Sequence, residues 1–422
     1  MKIFIKNGTV VDPSRNLQQK LNVLIDDAKI VSIDTLDHPA DEIINAENCI
    51  VLPGLIDMHV HFREPGGEAK ETILGGSQVA AKSGFTSVCT MPNTNPPIDN
   101  QALVKFIKLE AEKGPINIFP VAAISKGLKG EEISEMGDLH TAGAVAFSDD
   151  GKPVMSSLLL LRALDYSRMF NVPLLLHEED TILADSGIMN EGVVSTKLGI
   201  KGIPAEAEEI MIARDALLAK KSNARIHIQH LSSGASADIV KHAKSTGVKI
   251  TCETAPHYFS LTDEAILEHL SMAKMNPPLR TENDRKKIIA ALKDGTIDVI
   301  ATDHAPHTAN EKKQELEFAP FGIIGLETAV PLIITKLVIE NGFSYCEAFS
   351  KVTCNPANIL NLDKGVLQEG KCADITIVNP TEKVNITDDY FLSKCKNSPF
   401  KGSELFGKVM YTICGGKIVY GK

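Results

Sequence analysis

The sequence lacks several features that would assign it to a specialised class of protein. Its eight cysteines are scattered without a Cys-x-x-Cys spacing, which argues against a disulfide framework and a thiolate metal site. No run approaches the ~18–20 apolar residues of a membrane span, and the first residues carry no signal-peptide hydrophobic segment. Acidic residues outnumber basic ones, 54 against 44, which argues against nucleic acid or a membrane surface as the main partner. These absences predict a cytoplasmic protein with reduced thiols.

The two ends of the chain have the sequence pattern of a small β domain. A length of 422 residues exceeds the ~250–300 residues at which single cores stop growing, so we expect one large domain and one smaller one. Short β-branched runs broken by turn signals occur at both ends. They cover residues 2–6, 22–25, 30–33, 374–378, 408–414 and 417–420, with a Gly-Gly hairpin turn at 415–416. We therefore predict a β-sandwich domain built from residues 1–50 and 364–422.

The middle of the chain, residues 51–363, alternates between apolar runs and helix-like stretches such as 69–82 and 205–221. The eight apolar runs cover residues 51–60, 86–91, 116–124, 143–147, 172–176, 225–229, 248–252 and 297–301. Runs that are apolar on both faces suit parallel strands buried on both sides. Eight strand–helix units predict an α/β fold of the (β/α)8 TIM-barrel type. A doubly wound open sheet is the alternative, but no Gly-rich turn follows any of these runs.

Histidines and aspartates follow five of the eight predicted strands. The first run contains His59 and is followed by His61; residues i and i+2 of a strand share a face, so both can point into the barrel mouth. The ends of four further runs carry Asp149 and Asp150, His177, His230, and Asp303. Imidazole and carboxylate groups are ligands of divalent metals, Zn²⁺ above all, and barrel enzymes place their chemistry at these strand ends. The convergence favours a metal site over ordinary packing histidines. His227 has the opposite parity to His230 and is expected to point outward.

The residues from Asp57 onward, Asp-Met-His-Val-His-Phe-Arg-Glu-Pro-Gly, resemble the opening signature of the dihydroorotases, which are cyclic amidohydrolases of pyrimidine biosynthesis. Further matches are Met-Pro-Asn-Thr from 91, Thr-Ala-Pro-His from 254, Met-Asn-Pro-Pro-Leu-Arg from 275, Ala-Thr-Asp-His-Ala-Pro-His from 301, Gly-Leu-Glu-Thr from 325 and Asn-Pro-Ala from 355. The resemblance covers essentially the whole chain. It implies reversible hydrolysis of (S)-dihydroorotate to N-carbamoyl-L-aspartate by a type I, long-chain enzyme.

The same resemblance implies a metal centre with one or two Zn²⁺ ions per chain, two being the expected number. By position, the first metal site is matched by His59, His61 and Asp303, and the second by His177 and His230. Many cyclic amidohydrolases bridge their metals with a carboxylated lysine, but no lysine ends the fourth run here. Asp150, chosen over Asp149 by motif alignment, takes the bridging position; Lys152 in the following loop is the disfavoured alternative. Asp303 is also implied as the catalytic acid–base group.

The substrate residues follow in the same way. Arg63 is expected on the inward parity of the first strand, where a guanidinium can bind a carboxylate through paired hydrogen bonds. The resemblance adds Asn93 and His307 around the substrate carboxylate, with His61 shared between metal and substrate. Asn276 and the backbone at Phe321 and Gly322 match the groups that hold the ring amides.

Two alternatives stay open. A dihydropyrimidinase, hydantoinase or allantoinase would share the fold and the His-x-His start, but the missing strand-four lysine and the Arg63/Asn93 pair argue against these enzymes. A non-catalytic dihydroorotase-like assembly partner is expected to have lost ligands, whereas this chain keeps them. The resemblance implies a small-molecule substrate, and it allows a homodimer and association with aspartate carbamoyltransferase.

Overall fold

The computed structural model describes residues 1–421, in which both ends of the chain consist mainly of strands and the middle alternates between strands and helices. The strands are β1 (Lys2–Lys6), β2 (Thr9–Asp12), β3 (Leu17–Lys20), β4 (Asn22–Asp26), β5 (Lys29–Asp34), β6 (Glu42–Asn45), β7 (Ile50–Pro53), β8 (Leu55–Val60), β9 (Phe85–Thr90), β10 (Asn117–Ala122), β11 (Ala146–Ser148), β12 (Leu174–Leu176), β13 (Met189–Asn190), β14 (Gly202–Ile203), β15 (Ile226–Ile228), β16 (Ile250–Thr254), β17 (Val299–Ile300), β18 (Ile375–Asn385), β19 (Glu404–Cys414) and β20 (Lys417–Gly421).

The α-helices are α1 (Ile73–Lys82), α2 (Gln101–Ala111), α3 (Met136–Ala142), α4 (Ser157–Arg168), α5 (Thr181–Ala184), α6 (Val193–Leu198), α7 (Glu206–Ser222), α8 (Gly234–Ser245), α9 (Pro256–Ser260), α10 (Ala265–His269), α11 (Glu282–Lys293), α12 (Ala309–Lys312), α13 (Leu326–Leu332), α14 (Tyr345–Ser350) and α15 (Cys354–Ile359). Asn100, Ser156 and Thr281 cap α2, α4 and α11 by accepting hydrogen bonds from backbone N–H groups of the first turn.

Eight parallel strands form the barrel, in the order β8, β9, β10, β11, β12, β15, β16, β17. The two edge strands meet beyond their ends, because Val60 forms a parallel bridge with His304 and the His61 N–H donates to the His304 carbonyl at 2.9 Å. The barrel strands are almost entirely buried on both faces, as the continuous apolar runs predicted; the partly exposed residues are in β10 and β16. The predicted (β/α)8 fold class is confirmed, and the carboxyl ends of all eight strands meet at one mouth.

The first predicted run, 51–60, is two strands rather than one. β7 pairs with β2 and β18 in an outer sheet, whereas β8 begins the barrel. Gly54 separates them, and a side chain at this position would overlap Thr86 on β9. The apolar run was continuous because both strands are buried, so hydrophobicity alone could not reveal the change of sheet.

Both chain ends contribute to the outer sheets. One sheet has the order β5-β4-β1-β6, and the other, β20-β19-β18-β7-β2-β3, joins the first and last parts of the chain. Ile3 and Val23 share a buried cluster with Ile375. Gly415 and Gly416, with φ of 56° and 73°, form the turn between β19 and β20, where both positions need the left-handed region that glycine adopts readily. The domain boundaries at 50/51 and 363/364 stay a prediction.

Two further expectations concern cysteine and membranes. All eight cysteines are free thiols, and six of them are buried. None of the helices in residues 1–421 combines the length and the apolar character needed to cross a bilayer.

Candidate metal centre and substrate cavity

The candidate ligands come together at the carboxyl-terminal mouth of the barrel. His59 lies in β8 and His61 one residue beyond it, while the other four side chains follow the ends of their strands. These are Asp150 after β11, His177 after β12, His230 after β15 and Asp303 after β17. All six residues are buried, although they are polar or charged. Residues distant in sequence therefore converge because parallel barrel strands end at the same face.

The histidines form two groups that share one carboxylate. The first group is His59, His61 and Asp150, and the second group is Asp150, His177 and His230; in each, the potential ligand atoms lie within 4.8 Å of one another. Asp150 Oδ1 is 3.4 Å from His59 Nε2 and 3.5 Å from His230 Nε2, whereas Oδ2 is 3.5 Å from His61 Nε2. Asp150 thus stands between the two groups, in the position of a bridging ligand.

Asp303 is adjacent to the first group. Its Oδ1 atom lies 3.0 Å from His61 Nε2 and 3.5 Å from His59 Nε2. Burial would raise the pKa of the Asp303 carboxyl, but the neighbouring histidine charges of His59 and His61 lower it well below its usual range. The pKa of Asp150 is likewise held low, against its burial, by His59, His177 and His230. Both carboxylates are accordingly ionised, which is the state that binds a cation.

Asp149 and Lys152 lie outside both groups. The Asp149 carboxylate accepts hydrogen bonds from the Ile124 N–H at 2.8 Å, the Ser125 N–H at 3.0 Å and the Ser125 hydroxyl. Burial raises the pKa of Asp149 to about 6. Lys152 is exposed in the loop. Asp149 therefore fixes the chain after β10, and the geometry favours Asp150 as the shared ligand.

The ring nitrogens that face away from Asp150 have different hydrogen-bond partners in the two groups. His59 Nδ1 donates to Glu253 Oε1 at 2.8 Å, and His61 Nδ1 donates to Asn93 Oδ1 at 2.9 Å. In the second group, His177 Nδ1 and His230 Nε2 face each other at 2.9 Å. Their remaining nitrogens, His177 Nε2 and His230 Nδ1, are buried without a hydrogen-bond partner among residues 1–421.

These groups fit divalent metal ions. His59 Nε2 is also buried without a hydrogen-bond partner in the described chain, although carboxylate oxygens of Asp150 and Asp303 lie within 3.5 Å. Buried polar atoms are normally paired, so an unpaired imidazole nitrogen beside two anions is suited to a cation. Imidazole nitrogens and carboxylate oxygens together form the donor set that Zn²⁺ prefers.

Three site residues have backbone conformations that sequence parity could not anticipate. Arg63, His230 and Asp303 have φ of 62°, 33° and 48°, which is uncommon for residues other than glycine. Such strain is often found at functional sites, where the surrounding structure imposes it. Each of the three residues lies beyond the end of its strand. The alternation of strand faces therefore does not extend to them, even though Arg63 does line the cavity.

The prediction that His227 points outward is wrong. His227 is completely buried, with Nδ1 2.8 Å from Thr251 Oγ1 and Nε2 3.1 Å from Glu253 Oε2. Glu253 is the same residue that contacts His59, so His227 lies inside the barrel. The prediction failed because it counted parity as far as His230, whereas β15 ends at Ile228 and the chain then turns.

A cavity of about 360 Å³ opens above the candidate metal ligands. The predicted substrate residues that line it are Arg63, Asn93, Asn276, His307, Phe321 and Gly322. Arg63 Nη2 lies 3.3 Å from His307 Nε2, and Asn93 Nδ2 donates to Asp150 Oδ2 at 3.1 Å. Burial is the main reason that the pKa of His307 falls to about 3, which keeps its imidazole neutral beside Arg63. The structure thus brings the predicted metal and substrate residues to one cavity.

Three supporting residues were missed by sequence reasoning. Glu253 contacts His59; Glu179 Oε2 accepts from Asn276 Nδ2 at 2.8 Å; and Lys312 donates at 2.9 Å to the Pro320 and Gly322 carbonyls. Glu253 lies inside β16, but the predicted run ended at residue 252, so its burial in a parallel strand became evident only from the structure. Glu179 and Lys312 lie outside the barrel strands, and no sequence pattern marks them.

Comparison with known proteins gives consistent results. A family model described as "Dihydro-orotase-like" matches residues 48–236. The dihydroorotase of Pelotomaculum thermopropionicum is 50% identical over 420 residues, covering 99% of this chain and 98% of its own length. That of Geobacter metallireducens is 48% identical over 423 residues, covering 100% of both chains. A solved L-hydantoinase from Arthrobacter aurescens, 23% identical, superposes with a TM-score of 0.90 over 100% of this chain and 96% of its own, which shows the fold alone.

Proposed function

The chain belongs to the dihydroorotase family, and on that premise we propose that it interconverts (S)-dihydroorotate and N-carbamoyl-L-aspartate in pyrimidine biosynthesis. The observation that carries this proposal is the meeting of two ligand groups, a proton acceptor and a carboxylate-binding cation around one cavity. A non-catalytic partner would not need to keep such a buried set of charges. The hydantoinase-like structures resemble this chain in fold only, so they do not favour the alternative activity.

Two divalent metal ions, Zn²⁺ by the chemistry of the donors, form part of this proposal. The residues that would hold them are His59, His61, Asp303, His177 and His230, with Asp150 shared between the sites. Metal ions bound at these positions supply Lewis acidity, which lowers the pKa of water and polarises an amide carbonyl. The buried His59 Nε2, which has no hydrogen-bond partner among residues 1–421 and faces Asp150 and Asp303, supports their presence.

Asp303 is the proposed proton carrier. It is buried and ionised, lines the cavity and lies beside the first group. In hydrolysis, its carboxylate accepts the proton of the attacking water as the carbon–oxygen bond forms. The same carboxyl then gives that proton to the ring nitrogen as the carbon–nitrogen bond breaks. Ring closure reverses both transfers, so hydrolysis requires ionised Asp303 and closure requires its protonated form.

The other cavity residues hold the substrate. Arg63 and the neutral His307 are placed to bind the ring carboxylate through charge-assisted hydrogen bonds. Asn276 lies in the cavity wall; its amide nitrogen donates to Glu179, and its buried Oδ1 atom has no partner among residues 1–421. A carboxylate only accepts hydrogen bonds, so this contact leaves the Asn276 oxygen free to accept an N–H of the ring. The backbone at Phe321 and Gly322 completes the wall.

The remaining expectations concern location and partners. We place the protein in the cytoplasm, with a small molecule as its substrate and with neither nucleic acid nor membrane as a partner. A homodimer and association with aspartate carbamoyltransferase stay predictions. Gel filtration of the purified chain, alone and with the transferase, would test them.

A turnover assay on dihydroorotate, hydantoin and allantoin tests the proposed function. We expect conversion of dihydroorotate only, loss of activity after prolonged chelation and recovery with Zn²⁺. Preferential turnover of hydantoin or allantoin would overturn the substrate assignment. Full activity in protein shown to be metal-free would overturn the metal assignment separately.

A further inference from the structure

A buried chain of polar side chains lies below the first histidine group, inside the barrel. It runs from Thr251 through His227 to Glu253 and ends at His59, and each successive pair of side chains is within 3.1 Å. His59, His227 and Glu253 have at most 1% of their surface exposed. None of these contacts takes part in the proton transfer or the substrate binding described above. The buried charge of Glu253 therefore needs an explanation other than a direct role in the reaction.

The contact with Glu253 fixes which nitrogen of His59 carries the proton. A carboxylate can only accept, so His59 Nδ1 must donate across the 2.8 Å contact. Gln229 Nε2, 3.2 Å from the same Nδ1, is an amide nitrogen and cannot accept that proton. When His59 is neutral, as a metal ligand must be, its Nε2 lone pair is therefore directed towards Asp150 and Asp303, at 3.4 and 3.5 Å.

The second carboxylate oxygen of Glu253 is held by His227. His227 Nε2 lies 3.1 Å from Glu253 Oε2, and the other ring nitrogen is 2.8 Å from Thr251 Oγ1. With one oxygen bound to each imidazole, the Glu253 carboxylate cannot rotate without breaking a contact. His227 and Glu253 come from adjacent, directly paired strands, β15 and β16. The carboxylate is consequently a rigid support for the ring of His59.

We propose that Glu253 is a positioning residue that orients His59 as a metal ligand, and that His227 holds Glu253 in place. This inference rests on the proposed metal centre. Neither residue is among those that line the substrate cavity. Hydrogen bonds from carboxylates to ligating histidines set the ring orientation and raise ligand basicity, and their loss typically costs about 10–100-fold in metal affinity. Glu253 should therefore affect the first group and leave the second group unchanged.

Zn²⁺ titration of chelator-stripped protein tests the proposal without reference to activity. Glu253→Met removes the acceptor and should weaken the tightest Zn²⁺ binding by about 10–100-fold. Glu253→Gln keeps an acceptor oxygen but no charge, so its loss should be intermediate. His227→Gln should give a smaller loss of the same kind. Glu327→Gln is the matched control, because Glu327 is a buried carboxylate bonded to Lys82, Leu392 and Ser393, away from the ligands.

A double-mutant cycle identifies the group that is affected. In a His177→Ala background, which keeps His59, the Glu253 substitutions should have their full effect on Zn²⁺ affinity. In a His59→Ala background they should have none. Equal Zn²⁺ binding by Glu253→Met and wild type, or an equal loss in both backgrounds, would overturn the proposal. If Glu253→Met does not fold, the same comparison with Glu253→Gln and His227→Gln decides. Wild-type protein that binds no Zn²⁺ would instead overturn the proposed metal centre itself.

Discussion

The two histidine groups share Asp150 but differ in the support behind them. In the first group, Glu253 and Asn93 hold the outer nitrogens of His59 and His61. In the second group, the outer nitrogens of His177 and His230 have no protein partner within residues 1–421. The same ligand type therefore occurs in a supported and an unsupported form a few ångströms apart.

This difference indicates that the two histidine groups have different roles in the candidate metal centre. Rings that are already oriented lose less conformational freedom when they bind a ligand, which favours tighter binding at the first group. Asp303 contacts the first group, and Arg63 follows His61 by two residues. The first group thus combines the rigid ligands with the proposed proton carrier and carboxylate anchor, whereas the second group is expected to be the weaker metal site.

Asp303→Asn should have the largest effect on the reaction. The asparagine keeps the size and one oxygen but cannot accept the proton, and general acid–base catalysis is typically worth ~10²–10⁴-fold. We expect kcat to fall by that factor in both directions, measured beside the metal content of the same preparation. The second group should keep its metal, because Asp303 lies beside the first. Turnover near the wild-type rate in a metal-replete variant would assign the proton transfer to another residue.

Arg63→Met should have a smaller effect, confined to substrate binding. Loss of a charge-assisted pair costs about 1.5–3 kcal/mol, which corresponds to roughly ten- to a hundredfold or more in kcat/KM for dihydroorotate. Arg63→Lys is the matched control; it keeps the charge but loses the bidentate geometry and should be intermediate. Zn²⁺ content should not change in either variant. An unchanged KM in Arg63→Met would place the substrate carboxylate elsewhere in the cavity.

Asp149→Asn should have the smallest effect on the reaction, in contrast with its neighbour Asp150. Asp149 accepts from the Ile124 and Ser125 N–H groups and contacts neither histidine group. Replacing one acceptor oxygen by a donor should lower the free energy of unfolding by about 1–3 kcal/mol, measured by urea denaturation. Zn²⁺ content should stay at the wild-type level, whereas Asp150→Asn should lower it at both groups. Metal loss in Asp149→Asn would reverse the assignment of the shared ligand.

The sequence could predict that the candidate metal ligands meet at the barrel mouth, because barrel topology makes the strand ends converge. His59, His61, His177 and Asp303 needed only their place at or just beyond the ends of apolar runs, and the missing strand-four lysine directed attention to Asp150. Local rules failed where the chain left the strand. His230 and Arg63 adopt left-handed backbone conformations, so counting faces gave the wrong orientation for His227 and the right place for Arg63 for an invalid reason.

The residues that support the candidate ligands, such as Glu253, were not predictable in the same way. Glu253 and His59 are 194 residues apart, and their contact depends on closure of the barrel, which leaves only β17 between strands β16 and β8. No local pattern marks Glu253 as the partner of one histidine rather than another. The support behind the ligands, which distinguishes the two groups, is a property of the tertiary structure.

The most direct test of this asymmetry is the Zn²⁺ affinity of two variants that each disable one group. His177→Ala keeps the supported first group, and His59→Ala keeps the unsupported second group. Competition with a chromophoric chelator should show that the His177→Ala protein binds its tightest Zn²⁺ at least about tenfold more strongly than the His59→Ala protein. Equal affinities, or tighter binding by His59→Ala, would contradict the account that the hydrogen bonds behind the histidines decide which group holds metal more firmly.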